Sequence, residues 1–299
     1  MKRILLVVAH GTVEDEADLP AFVSEIRHGR PAKQSFLDEL LMRYQTVGGS
    51  PLLRETQKQA KALGEATGLE TRVAMRLWEP RVVDVLSDLG EGDEVILVPL
   101  APFSVDIYEK AAFLDLQKAN NGLSLRSVNS WGEKPSLISA YVEDLLSAVS
   151  SANTGKTHVL LTAHSLPRMV IERGDPYAKL FETTASLVAR EFCGSVEAEG
   201  LPRPVVKVCY QSQGAMDGAW LGPDLKSAIK EAHAEGATRV VVSPIGFLTE
   251  HIETLFDLDI EARKQTEELG LEFVRVRAIG SHPGLIEALK EAVLEEISS

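Results

Sequence analysis

The chain is poor in cysteine: Cys193 and Cys209 are all it has in 299 residues. Two isolated thiols exclude a disulfide framework, a Cys-rich zinc module and a cysteine-held iron–sulfur cluster, and they fit a reducing cytoplasm. Positive charge is scarce too, with 31 Lys and Arg against 44 Asp and Glu and a net charge of −13. A nucleic-acid binder needs a basic face, so that class is set aside. No apolar run approaches the ~18 residues that would read as a transmembrane span. The opening run Ile4 to Ala9 is too short for a signal-peptide core, and His10-Gly11 follows where a cleavage site would stand. What is left, 44% hydrophobic and 25% charged, is ordinary for a soluble globular chain, and the length predicts two domains.

What is present is present twice. Ile4-Leu5-Leu6-Val7-Val8-Ala9-His10-Gly11-Thr12 returns as His158-Val159-Leu160-Leu161-Thr162-Ala163-His164-Ser165-Leu166. Val95-Ile96-Leu97-Val98-Pro99-Leu100 is echoed by Val240-Val241-Val242-Ser243-Pro244-Ile245. A short apolar run closed by turn residues reads as a strand buried on both faces. Each histidine then stands at the end of a central parallel strand, the edge where open α/β sheets place ligands.

Strand and helix patterns alternate throughout, which predicts an α/β fold with mainly parallel sheets. Strands are expected at 3–9, 71–75, 94–99 and 123–128, then at 157–163, 204–210, 239–243 and 272–276. Helices are expected at 15–28, 34–46, 51–67, 79–89, 107–120, 135–150, 177–193, 223–235, 250–269 and 283–297. The polar stretch Ser150 to Lys156 marks the boundary, giving an N-terminal half 1–150 and a C-terminal half 151–299. The expectation is two similar Rossmann-like, doubly wound halves flanking a ligand cleft. Neither lead strand is followed by G-x-G-x-x-G, and no H-E-x-x-H helix or G-x-S-x-G elbow is present.

His164 suits a metal ligand or a general base, since neutral imidazole does both near pH 7; the bland alternative is a core histidine satisfied by backbone. Glu253, Asp257 and Glu261 recur every fourth residue and would line one face of a helix. Like charges so spaced repel, which makes sense where a cation passes; a solvated acidic face is the plainer reading. Arg27 and the pair Arg43-Tyr44 sit at expected helix ends, before Gly48-Gly49-Ser50. They suit carboxylate binding or C-terminal capping.

These segments, in order and spacing, resemble the ferrochelatases, which insert ferrous iron into a porphyrin. The resemblance rests on Arg43-Tyr44 through Leu52, Ala163-His164-Ser165-Leu166-Pro167, Gly174-Asp175-Pro176-Tyr177, Tyr210-Gln211-Ser212, Trp220-Leu221-Gly222-Pro223, Pro244-Ile245-Gly246-Phe247 and His251-Ile252-Glu253-Thr254-Leu255. Leu100-Ala101-Pro102-Phe103-Ser104-Val105 with Tyr108, and Ser130-Trp131, look most like the coproporphyrin III branch, whose product is coproheme. The resemblance implies that His164 and Glu253 are catalytic and handle the metal, with Asp257 and Glu261 extending an acidic route. It implies that His10, Arg27, Arg43, Tyr44, Ser50 and Tyr108 bind the porphyrin. His10 stands where that branch carries a tyrosine that reaches the iron, and is expected to be an axial iron ligand; the alternative is a hydrogen bond to backbone that leaves the iron open on that side.

No cofactor beyond substrate Fe²⁺ is expected, and the partners implied are porphyrin, Fe²⁺ and, transiently, a haem-accepting protein. The alternatives are a protoporphyrin IX ferrochelatase and a non-catalytic haem-binding protein on the same scaffold. Behind these stand a cobalt chelatase of smaller tetrapyrroles and a hydrolase using Ser165 beside His164.

Overall fold

The computed structural model describes residues 2–119, 122–149, 155–214 and 218–299. Eight strands form two four-stranded parallel sheets. β1 (Arg3–Ala9), β2 (Glu70–Met75), β3 (Glu94–Pro99) and β4 (Ser124–Ser127) lie in the order β2-β1-β3-β4. β5 (Thr157–His164), β6 (Val205–Gln211), β7 (Arg239–Ser243) and β8 (Glu272–Arg275) lie in the order β6-β5-β7-β8. The internal echo of the sequence is thus an echo of topology. β1 and β5 are the hydrophobic centres of their sheets, with Leu5, Leu6, Val7, Leu160 and Leu161 fully buried.

All eight strands appear within a residue or so of the expected positions, and most helices do as well. The helix expected at 79–89 is the main shortfall: only Val82–Val85 is helical. The helical turn thus covers the valines themselves, and Leu86 and Leu89 enter the core from the turn that follows. The helix expected at 250–269 begins as a π-helix, Thr254–Ala262, before an α-helix over Arg263–Glu268. A short helix over Arg168–Glu172 was not foreseen.

Two compact units divide the chain. One comprises Met1–Trp131, Thr249–Ile252 and Leu285–Ser299; the other comprises Gly132–Leu248 and Glu253–Gly284. Residues 150–154, at the boundary read from the sequence, lie outside the described residues. The polar stretch therefore falls within the span of the second unit, and the last helix, Pro283–Ser298, goes for most of its length with the first unit. Arg126, next to last in β4, explains the second difference: its Nε donates to Glu296 Oε1 at 2.8 Å. Among the described residues no helix is long and apolar enough to cross a membrane.

Candidate active site

His164 closes β5 in register with Gln211, the last residue of β6. Three contacts of the second unit fix that strand end. The Tyr177 hydroxyl donates to the His164 carbonyl at 2.9 Å. Ser165 N–H donates to the Gln211 carbonyl at 2.7 Å. Gly246 N–H donates to the Thr162 carbonyl at 2.9 Å, and a Cβ on Gly246 would stand 2.4 Å from that of Ala163. Only glycine lets the loop after β7 cross β5 so closely. Ser165 is fully buried and its hydroxyl donates to the Leu221 carbonyl at 2.9 Å, which removes it as a nucleophile.

The His164 ring lies with Nδ1 3.2 Å from Glu253 Oε2, both side chains about one-third exposed. A carboxylate accepts, so the neutral ring carries its proton on Nδ1 and presents a lone pair at Nε2. Partial burial presses the imidazole toward neutrality, but the Glu253 charge and hydrogen bond, with the Asp257 charge, outweigh it and raise the His164 pKa. The result is a stronger base than a free imidazole.

Glu253 caps the π-helix, and the acidic residues that follow are not a solvated face. Asp257 is 7% exposed and accepts a short hydrogen bond from the Ser212 hydroxyl. Ser212 sits at φ +59, a conformation costly for a residue with a Cβ. Asp259 pairs with Arg275 at 3.3 Å, and Glu261 with Lys226 at 3.3 Å. The outer carboxylate of the expected acidic route therefore already has a lysine partner. π-helical turns are rare and concentrate at functional sites, where they re-aim side chains.

In the first unit, His10 follows β1 and is exposed. Arg76 Nη2 lies 3.4 Å from His10 Nδ1, and the same guanidinium stacks over the Tyr108 ring, 5.2 Å from its centroid. Tyr108 is buried, which raises its phenol pKa. Tyr44 is 2% exposed among Val13, Leu19 and Phe22, its hydroxyl 3.0 Å from that of Thr12. It is a core residue, and Thr12 is buried with it. Arg43 pairs with Glu39 at 2.7 Å on its own helix. Arg27 closes the helix Leu19–Ile26, with its Nε buried and unbonded among the described residues. Ser50 is half-buried, its hydroxyl 3.5 Å from Leu52 N–H at the start of the helix Leu52–Thr67. Arg76 and Lys226 were missed by the sequence reading, and Ser212 entered it only as part of a motif, without a role. Arg76 follows from the β1–β2 register, which pairs Ala9 with Met75 and so sets the next residue of each strand side by side.

Among the described residues no three His, Cys, Asp or Glu groups converge into a closed metal cage. His164 and Glu253 instead offer a lone pair and a carboxylate at an open strand end. Residues 2–297 match the ferrochelatase family model, and the chain belongs to the ferrochelatase family. Among its relatives, a coproporphyrin III ferrochelatase of Geobacillus sp. is 32% identical over 99% of this chain and 98% of its own. One of Anoxybacillus flavithermus is 33% identical over 98% and 96%, and a ferrochelatase of Deinococcus radiodurans 32% over 97% and 94%. In fold, the chain is similar to SirB from Bacillus subtilis, solved with Fe³⁺. The TM-score is 0.60 over 99% of this chain and 96% of that one, at 14% identity. It is also similar to CbiX, described as the terminal enzyme of sirohaem biosynthesis in denitrifying bacteria. There the TM-score is 0.56 over 97% and 98%, at 15% identity.

Proposed function

We propose that this chain inserts Fe²⁺ into coproporphyrin III, giving coproheme in haem biosynthesis in the cytoplasm. The single observation that carries the mechanism is the His164–Glu253 pair, 3.2 Å apart at the end of β5. Insertion exchanges two pyrrole N–H protons for one Fe²⁺, so charge balances when both protons leave. His164 Nε2 takes a pyrrole proton; Glu253 and Asp257 stabilise the imidazolium that results. Glu253 also draws the incoming iron out of its hydration shell, and Asp257 returns protons outward. Glu261 joins that route once its ion pair with Lys226 opens. No cofactor besides substrate iron enters the scheme.

Arg27 and Arg43 are assigned to propionate carboxylates, which guanidinium forks bind bidentately. Ser50 adds a hydroxyl beside a helix N-terminus, and Tyr108, with Arg76 stacked on it, supports the macrocycle edge. Tyr44 backs this group through Thr12. His10 contacts the porphyrin at the end of β1. The names of the relatives favour the four-propionate substrate, which needs more cationic anchors than a two-propionate one. The product is then passed to a haem-accepting protein.

The deciding experiment is anaerobic Fe²⁺ insertion, followed by absorbance, with coproporphyrin III and protoporphyrin IX in parallel on wild type and His164→Ala. Turnover of coproporphyrin III that collapses in the variant is expected. Preference for protoporphyrin IX overturns the substrate, and binding of haem without any insertion overturns the enzyme.

A further inference from the structure

We infer that Arg76 locks the His10 imidazole in the tautomer that carries its proton on Nε2, so that His10 meets its ligand as a hydrogen-bond donor and not as an iron ligand. This reverses the axial role expected from the sequence. A guanidinium has donors only and does not deprotonate in proteins. Its Nη2, 3.4 Å from His10 Nδ1, therefore points a proton at that nitrogen and requires a lone pair there. A neutral imidazole has one lone pair, so Nε2 holds the hydrogen. A metal needs a lone pair on the nitrogen it binds, and the one available faces a fixed cation.

The backbone makes this arrangement rigid. Arg76 N–H donates to the Ala9 carbonyl at 2.9 Å, and Leu77 N–H to the His10 carbonyl at 3.0 Å, extending the β1–β2 ladder past both strands. Gly11, at φ +114, lets the chain pass Trp78 where a Cβ would lie 3.0 Å from its backbone nitrogen. The cation–π contact with Tyr108 also holds the guanidinium. The equivalent position beside His164 is Gln211, whose amide oxygen instead accepts from Thr162 Oγ1 at 2.7 Å. That imidazole turns to Glu253. The two echoed histidines thus have partners of opposite charge and opposite tautomers: His164 exposes a lone pair at Nε2, His10 an N–H. The ligand atom this N–H suits is an acceptor oxygen, such as a carboxylate or an iron-bound water or hydroxide.

The tautomer stands on this unit's geometry alone; the statement about iron rests also on the chelatase reading. The test is long-range ¹H–¹⁵N correlation of the histidine rings in ligand-free protein, above the imidazole titration range. Signals of the seven histidines are assigned with His10→Gln and His164→Gln. Expected are an unprotonated Nδ1 for His10 and an unprotonated Nε2 for His164. Arg76→Glu, which gives His10 the kind of partner that Glu253 gives His164, is expected to move the His10 proton to Nδ1. An Nδ1–H tautomer for His10 in the wild type overturns the proposal, whatever the variant does. In a second arm with ferric coproheme, the coordination of the wild-type complex is expected to survive His10→Gln, while Arg76→Glu gains an imidazole ligand that His10→Gln removes. Loss of a ligand from the wild-type complex on His10→Gln also overturns it. If coproheme does not bind at all, the chelatase reading fails and the ring spectra still decide the tautomer.

Discussion

Glu253 holds His164 by Nδ1 alone, leaving Nε2 as the ring's open nitrogen. Glu253→Gln preserves a hydrogen-bond acceptor and removes the charge. Without that charge the imidazolium formed on proton abstraction is destabilised. We expect kcat for iron insertion to fall about 10²-fold, within the range general-base catalysis spans, while porphyrin Kd by fluorescence quenching stays within about threefold, roughly 0.7 kcal/mol. Equal loss in both would place Glu253 in porphyrin binding instead.

Ser212 combines a positive φ with a donated hydrogen bond to Asp257. Ser212→Ala keeps the backbone cost and loses the bond, so we expect about 2 kcal/mol of destabilisation in urea unfolding. Ser212→Gly loses the same bond but relieves roughly 1 kcal/mol of left-handed strain. The order should therefore run wild type, Ser212→Gly, Ser212→Ala. An alanine variant as stable as the glycine variant would show that no strain is held there.

His158 lies within β5, fully buried, and neither ring nitrogen has a hydrogen-bond partner among the described residues. Desolvation lowers its pKa; the charges of Lys156 and Lys207 add to that, while Glu235 and Glu231 oppose it. The unfolded chain then takes up this proton at higher pH than the folded one. Its contribution to stability is full above the ordinary histidine range and is lost as pH falls toward the lowered folded value. The slope is at most about 1.4 kcal/mol per pH unit. His158→Leu should flatten the fall of Tm between neutral and mildly acidic pH; an unchanged slope would assign that acid sensitivity elsewhere.

Cys209 packs among Leu160, Leu225 and Ile229, and burial pushes its thiol pKa well up. Cys193 is partly exposed. Iodoacetamide at mildly alkaline pH should label Cys193 in the native protein and both thiols only after denaturation, read by peptide mass. Native labelling of Cys209 would mean that its unit opens readily.

Legibility followed periodicity. The strands were readable because β1, β3, β5 and β7 are continuous apolar runs whose period does not depend on their neighbours. The helix 79–89 shrank to Val82–Val85 because an apolar pattern there marks core-facing residues whether they lie in a helix or in the turn that follows. The π-helix was invisible: Glu253, Asp257 and Glu261 share a face at either helical pitch, and only packing widens the turn. The pairing of His164 with Glu253 came from the resemblance to the family, and the structure brings the two side chains together. The burial of Tyr44 was not legible, because Val13 and Phe22, which cover it, come from elsewhere in the chain. Arg76 was not legible without the β1–β2 register, which the structure supplies.

The helix that ends the chain belongs to the unit that begins it. Besides the Glu296 carboxylate, Arg126 bonds the Glu296 carbonyl and the Ser299 hydroxyl. During synthesis the sheet around β1 is made well before Pro283–Ser298, so it waits for this helix. The unit formed by Gly132–Leu248 and Glu253–Gly284 has all its parts sooner. Order of synthesis and order of completion therefore differ here: a change within Pro283–Ser298 is felt in the sheet around β1, far from it in sequence.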